Sequence, residues 1–296
     1  MTRDGKTNTI DEAKKLVLGG RCVAFIGAGL SIPPGGGWKD IVKTFASRCN
    51  VDFNNQDLPK VIDECFDTKP SEYKKVFQEL FPKHTSTSRT AINYLPRLPF
   101  KAFITTNFDP WLRNLFRASD IVGVYSYPDI PMTKGLSKNV YYIHGYYDST
   151  RNDFNHENLV FGERSFLCAY GTESLLPGFL LNLFVYENVL FIGFDPSEEN
   201  ISRILEKSEK VKVRLKENDF KKPKRFLLWP AFTQATEQPK GEYEARIKNF
   251  QSLGIDPIIY DYKGEDYRGI EEILYSWVEQ SEIKNRPAPF KSGFDL

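Results

Sequence analysis

Short apolar runs alternate with amphipathic stretches along most of the chain. Cys22–Ile26 is an unbroken apolar run, as expected of a strand buried on both faces. Lys101–Thr105, Ile121–Tyr125, Val140–Ile143, Val189–Ile192, Phe226–Trp229 and Pro257–Tyr260 read as further strands. Helical periods lie between them. The spacing Thr9-Ile10-Asp11-Glu12 is that of a capping box and predicts a helix through Ala13–Leu18, stopped by Gly19-Gly20. Another helix begins near Trp38. One opening at Asp109-Pro110 carries Trp111, Leu112, Leu115 and Phe116 on one face, and one runs through Ile201, Ile204 and Leu205. The last places Ile270, Ile273, Leu274, Trp277 and Val278 in a single stripe.

Strands alternating with helices predict an α/β fold: a Rossmann-like, doubly wound parallel sheet covered on both faces. Residues about 50–95 and 151–185 carry few strand candidates and are expected to be helical inserts that pack together as a smaller cap. The expected organisation is one domain over 1–283, with an extended tail over 284–296.

Composition narrows the function classes. The 296 residues suit one large domain or a core with an insert, and 40 basic against 39 acidic side chains give no bulk attraction to nucleic acid or membrane. The mixed charges of Lys207–Arg225 read as a solvated helix end and loop, so no direct nucleic-acid binding is expected. The most apolar region, Leu175–Phe194, is broken by Pro177, Asn182, Glu187 and Asn188, whereas a membrane span needs roughly 20 mainly apolar residues. No signal-peptide stretch lies within Met1–Gly20, and a cytoplasmic location is expected. The four cysteines (Cys22, Cys49, Cys65, Cys168) form no CxxC pair, and no metal site is expected. His84 and His156 lie in polar stretches and are expected at the surface.

Three segments carry candidate chemistry. Gly27-Ala28-Gly29-Leu30-Ser31 follows the first strand directly, where paired glycines let backbone amides approach a diphosphate. The full GxGxxG is absent, since Ile32 holds the third position, and a tight strand-to-helix turn with no ligand is the alternative reading of the pair. Thr105-Thr106-Asn107-Phe108-Asp109 ends the second strand. Asp109-Pro110 has the form of a helix N-cap followed by a first helical proline, which does not account for Asn107. Ile143-His144-Gly145 ends a later strand.

Taken together and in order, these segments resemble the sirtuin-like family. Gly27–Trp38 is similar to its GAGxS…G(I/L)PxW segment, Thr105–Asp109 to TxNxD, Ile143–Gly145 to its strand-terminal HG, Leu159–Phe166 to a segment of bacterial members, and Gly193–Asn200 to G(Y/F)SxxDxN. The resemblance implies NAD as substrate, with Asn107 orienting the ribose and a water and His144 acting as base on a ribose hydroxyl or the acceptor. It implies NAD contacts at Gly27, Ala28, Gly29, Ser31, Trp38, Thr105, Asp109, Gly193, Phe194, Asp195 and Asn200.

Two departures shape the expectation. Sirtuin deacetylases carry four zinc-ribbon cysteines between the HG and GxS segments, and this chain has only Cys168 there. That points to the zinc-free, defence-associated branch and to water as acceptor. Asp195 stands where the family usually has serine, and a carboxylate accepts hydrogen bonds but repels phosphate. The expected activity is NAD glycohydrolysis to nicotinamide and ADP-ribose by an anti-phage effector. Gating is expected from homo-oligomerisation or from a separate activating protein, an ATPase or a nucleic-acid sensor. The alternatives are an NAD-dependent deacylase or ADP-ribosyltransferase, and a non-catalytic module that senses NAD or ADP-ribose.

Overall fold

The computed structural model describes residues 3–30, 37–53, 57–81, 91–116, 123–131, 136, 138–147, 154–215, 222–233, 239–261 and 268–285. Its strands are β1 (Cys22–Ile26), β2 (Ala102–Thr105), β3 (Gly123–Ser126), β4 (Asn139–Tyr142), β5 (Asn188–Ile192), β6 (Arg225–Pro230) and β7 (Asp256–Tyr260). The helices are α1 (Arg3–Leu18), α2 (Trp38–Cys49), α3 (Leu58–Thr68), α4 (Pro70–Leu80), α5 (Ala91–Tyr94), α6 (Trp111–Leu115), α7 (Glu163–Tyr170), α8 (Leu176–Tyr186), α9 (Glu199–Leu215), α10 (Lys240–Ser252) and α11 (Arg268–Asn285). Residues 286–296 of the expected tail and Ser31 lie outside the described residues.

All strand pairings are parallel, in the order β3-β4-β2-β1-β5-β6-β7. This is the doubly wound α/β sheet that the alternation predicted. Successive strand residues point to opposite faces. Cys22, Ala24, Ile26, Phe103, Val140, Leu190 and Phe226 pack with Ala13, Val17, Leu274 and Trp277 of α1 and α11. Val23, Phe25, Ile104, Tyr141, Val189 and Phe191 pack with Leu180, Phe184, Ile201 and Leu205 of α8 and α9. Burial on both faces is why the central strands are apolar runs rather than alternating ones; each large side chain so buried contributes roughly 1.5–3 kcal/mol.

A third core lies beyond the carboxyl edge of the sheet. It joins Val42 and Phe45 of α2, Ile62 of α3 and Tyr73 and Phe77 of α4 to Leu159 and Phe161, which follow β4. Cys49 and Cys65 meet there, and burial pushes the Cys65 thiol up to about 12. Helix α7 packs on α3, where Asp63 accepts from the Arg164 amide at 2.9 Å and caps the first turn of α7. Helix α8, in contrast, belongs to the sheet face with α9.

Three local expectations are corrected. Helix α1 starts at Arg3 rather than at Thr9, because a capping spacing marks where a helix is able to begin and the residues before it extend the same backbone ladder. Its end is as read: Gly20 has φ 65°, Gly20 N–H donates to Val17 O at 2.9 Å and Arg21 N–H to Leu16 O at 3.0 Å. The charged stretch over Lys207–Arg225 is not wholly solvated. Lys212 and Arg225 are 2% and 1% exposed, and both pair with Glu209. Arg225 also donates to Phe184 O, Leu253 O and Ser208 Oγ, tying β6 to α8, α9 and the end of α10. His156 is half-buried rather than superficial. Its ring stacks 4.0 Å from Phe66 and bonds the Tyr73 hydroxyl at 3.1 Å, against two aromatic side chains of the third core.

Among the described residues, no helix is long and apolar enough to cross a membrane.

Candidate functional site

The chain leaves β1 toward β2 on one side and later places β5 on the other, so the topological switch point lies beyond the carboxyl ends of β1 and β5. Ligands bind open α/β sheets at such crevices. Four predicted segments emerge along this edge: His144 after β4, Asn107 after β2, Gly27–Gly29 after β1 and Gly193–Asp195 after β5.

Parallel register places Asn107 and His144 at the ends of neighbouring strands. Thr105 and Tyr142 are partners, and each candidate lies two residues beyond its own member of that pair. Ile143 N–H donates to Thr105 O at 2.9 Å, continuing the ladder, and the Phe108 ring centroid is 6.5 Å from the imidazole. Thr105 is fully buried, and its hydroxyl accepts the Asn107 amide at 3.0 Å. The Asn107 side chain, 7% exposed, donates through Nδ2 to Gly27 O at 3.2 Å. That bond fixes the carboxamide against the glycine turn and leaves its orientation set before any ligand arrives.

His144 is 6% exposed, and burial lowers its pKa from 6.5 to about 3. The imidazole is therefore neutral, through desolvation. Its Nε2 lies 2.7 Å from the Tyr170 hydroxyl on α7. Phe166, one helical turn earlier, meets the ring edge-on at 5.4 Å. Burial likewise pushes the Tyr170 phenol well up. A buried phenol at neutral pH keeps its proton, and among the described residues Nε2 is the acceptor it meets. The hydroxyl is thus the donor and the remaining ring proton sits on Nδ1.

The glycine turn is built for close approach between loops. A Cβ on Gly27 would lie 2.5 Å from Gly193 O, and one on Gly29 2.7 Å from the same oxygen. Gly27 N–H donates to Ile192 O at 3.1 Å and Gly29 N–H to Gly193 O at 2.8 Å. Those two amides are committed to the protein, so the expectation that they face a diphosphate is not met in this conformation. Gly193, at φ 61°, completes the contact. Ala28 is half-buried on a 3₁₀ turn between the two glycines.

The other predicted residues divide. Asp109 Oδ1 accepts the Trp111 amide at 3.2 Å and caps the start of α6. Trp38 opens α2 and packs edge-on to Phe161 at 5.0 Å. Phe194 turns back against Phe25, 4.7 Å away, and Phe191. Asn200 donates from both its backbone and Nδ2 to Glu198, whose carboxylate also takes the Ile201 amide and caps α9. Burial raises the Glu198 pKa. Asp195 Oδ1 accepts from Ser197 N and Oγ at 3.0 and 2.7 Å. Its Oδ2 pairs with Arg246 of α10, whose guanidinium lies 5.4 Å over the Trp229 ring.

Tyr170 and Arg246 were not singled out in the sequence. Phe166 and Tyr170 share a helix face at i,i+4, which is legible, but nothing local says that this face covers His144. Arg246 lies 51 residues from Asp195 and carries no local signal at all. A cavity of about 820 Å³ opens among Phe66, Lys74, Phe154, His156, Arg164 and Cys168, and none of the predicted site residues lines it. Among the described residues, no group of three His, Cys, Asp or Glu side chains is placed to hold a metal ion.

A family model described as the SIR2-like domain matches residues 101–258, more than half of the chain. The match takes in Asn107, His144 and Asp195 and begins after the glycine turn. Among curated proteins, none matches the chain. SIR2-like domains use NAD, and the family is typically one of NAD-dependent enzymes.

Proposed function

The chain belongs to the SIR2-like family, and from that premise we propose that it is an NAD glycohydrolase releasing nicotinamide and ADP-ribose. What supports this most is the order of chemistry along one sheet edge: His144, Asn107, the glycine turn, then Asp195. Strands lie about 4.8 Å apart, so β4 to β6 spans roughly 19 Å, the scale of an extended dinucleotide. The nicotinamide ribose would lie over β2 and β4, and the adenosine end over β5 and β6.

The reaction breaks the C1′–N bond, and its electron pair leaves with nicotinamide. A neutral leaving group departs from a cationic ring, so no strong general acid is needed. Asn107, already oriented by Gly27 O, holds the ribose and directs water onto C1′ of the oxocarbenium-like sugar. The proton lost by that water passes to His144. An imidazole with a pKa of about 3 is a poor base. Release of Nε2 from Tyr170 and solvation of the ring precede its use, which gives the site a closed resting form.

The zinc-free resemblance supports water as the acceptor and an anti-phage role in which activated enzyme depletes NAD. Unrestrained turnover would harm the host, so activity is gated by homo-oligomerisation or by a separate activating protein. The test is nicotinamide release by the purified chain over a concentration series, with and without proteins encoded beside it. Asn107→Ala and His144→Ala abolish release while the circular dichroism spectrum is unchanged. Release that survives both substitutions overturns the assignment. O-acyl-ADP-ribose formed in the presence of an acyl-lysine peptide would move it to the transferases.

A further inference from the structure

The Asp195–Arg246 pair stands at the β5–β6 end of the edge, away from Asn107 and His144. Only part of it is explained by local structure. The two Ser197 bonds to Oδ1 form a turn leading into α9, and Glu198 caps that helix without help from Asp195. The Oδ2–Arg246 pair is required by neither. With side chains 38% and 32% exposed, such a pair contributes little to stability.

Its chemistry is specific nonetheless. An ionised carboxylate has about four acceptor positions, and Asp195 uses two on Oδ1 and one on Oδ2. A lone pair remains beside a guanidinium that has further N–H donors and a face resting over Trp229. An acceptor and a donor side by side match a vicinal diol, in which one hydroxyl donates and the other accepts. A phosphate on the same sugar would instead set a dianion against the carboxylate, while the nearest positive charge is already engaged by it.

We propose that the Asp195–Arg246 pair reads the ribose diol at the adenosine end of the ligand and selects NAD over its 2′-phosphorylated form. The proposal rests on the NAD reading above and names a specificity determinant for it. It also gives the aspartate a purpose that serine would not serve, since a neutral hydroxyl does not repel the 2′-phosphate.

The test uses ADP-ribose and 2′-phospho-ADP-ribose as calorimetric ligands for the full chain, so that turnover plays no part. The native protein binds ADP-ribose about tenfold or more the tighter, the scale of one hydrogen bond to a charged group. Asp195→Asn frees Arg246 to meet the 2′-phosphate and brings the two affinities to within about threefold, and adding Arg246→Gln removes the gain in 2′-phospho-ADP-ribose binding. Equal binding of the two ligands by the native chain, or an unchanged ratio in Asp195→Asn, overturns the selectivity and leaves the NAD reading standing. If the native chain binds neither ligand, the NAD reading itself fails and the selectivity falls with it.

Discussion

The Tyr170 hydroxyl sits 2.7 Å from His144 Nε2, so a residue of α7 holds the nitrogen that a base would use. His144, just after β4, and the helix over it are therefore coupled: moving α7 frees the imidazole, and leaving it in place keeps the ring dry. Tyr170→Phe removes the bond while keeping the aromatic packing. In the variant, nitrogen-15 NMR of His144 loses the signature of an Nε2 acceptor, and modification of this ring by diethylpyrocarbonate becomes faster. If the ring is as protected in the variant as in the native chain, Tyr170 is not the latch.

The buried imidazole also makes stability depend on pH with a definite sign. His144 titrates near its ordinary 6.5 when unfolded and at about 3 when folded. Between those values the unfolded chain binds more protons, so stability rises with pH. The contribution is fully present above 6.5 and lost as pH falls toward 3, with a slope of up to about 1.4 kcal/mol per pH unit. Burial lowers His156 in the same direction. Urea midpoints at pH 7 and pH 4.5 should therefore converge more in His144→Gln than in the native protein, with the His156 part unchanged. Equal acid sensitivity of the two proteins would rule out His144 as the source.

The glycines of the turn make opposite forecasts from one on α10. Gly29→Ala drives a methyl group to within 2.7 Å of Gly193 O and 2.9 Å of Gly193 Cα, both backbone atoms. Overpacking of this kind costs about 1–3 kcal/mol. Gly241, in the first turn of α10, has nothing within 4 Å of an added Cβ. Gly241→Ala should raise stability by up to roughly 0.5–1 kcal/mol through helix propensity. Thermal melts of both variants check the contrast.

Arg225 makes the largest stability forecast. Its guanidinium serves two carbonyls, Ser208 and Glu209 from a position 1% exposed, and burial lowers its own pKa to about 10. Arg225→Ala strands those acceptors and should cost about 3–5 kcal/mol. Arg225→Lys supplies a point charge in place of a planar fork and recovers only part of the loss. A denaturant series of the two variants reads both effects, and a near-native Arg225→Ala would show that the network is dispensable.

Much of the fold was legible because the central strands are buried on both faces. Cys22–Ile26, Val189–Ile192 and Phe226–Trp229 had to be apolar runs once helices covered the sheet twice, so composition and position coincide. Asn107 and His144 were legible for a different reason. Polar residues directly after such runs lie at strand ends, and resemblance to a known order of segments singled them out. The glycine turn was legible as a turn, but its amides bond to the neighbouring loop. A local pattern records the need for a small residue and not what approaches it.

The chain by itself thus determined the seven strands, their parallel winding and the residues that end β2 and β4, since burial and turn chemistry are written in short windows. Only the tertiary structure decided that Tyr170 closes on His144, that Arg246 answers Asp195, and that Arg225 and Lys212 lie inside. Each of those depends on side chains from separate elements meeting across the fold, and a charge or hydroxyl reads the same in sequence whether it meets water or a partner.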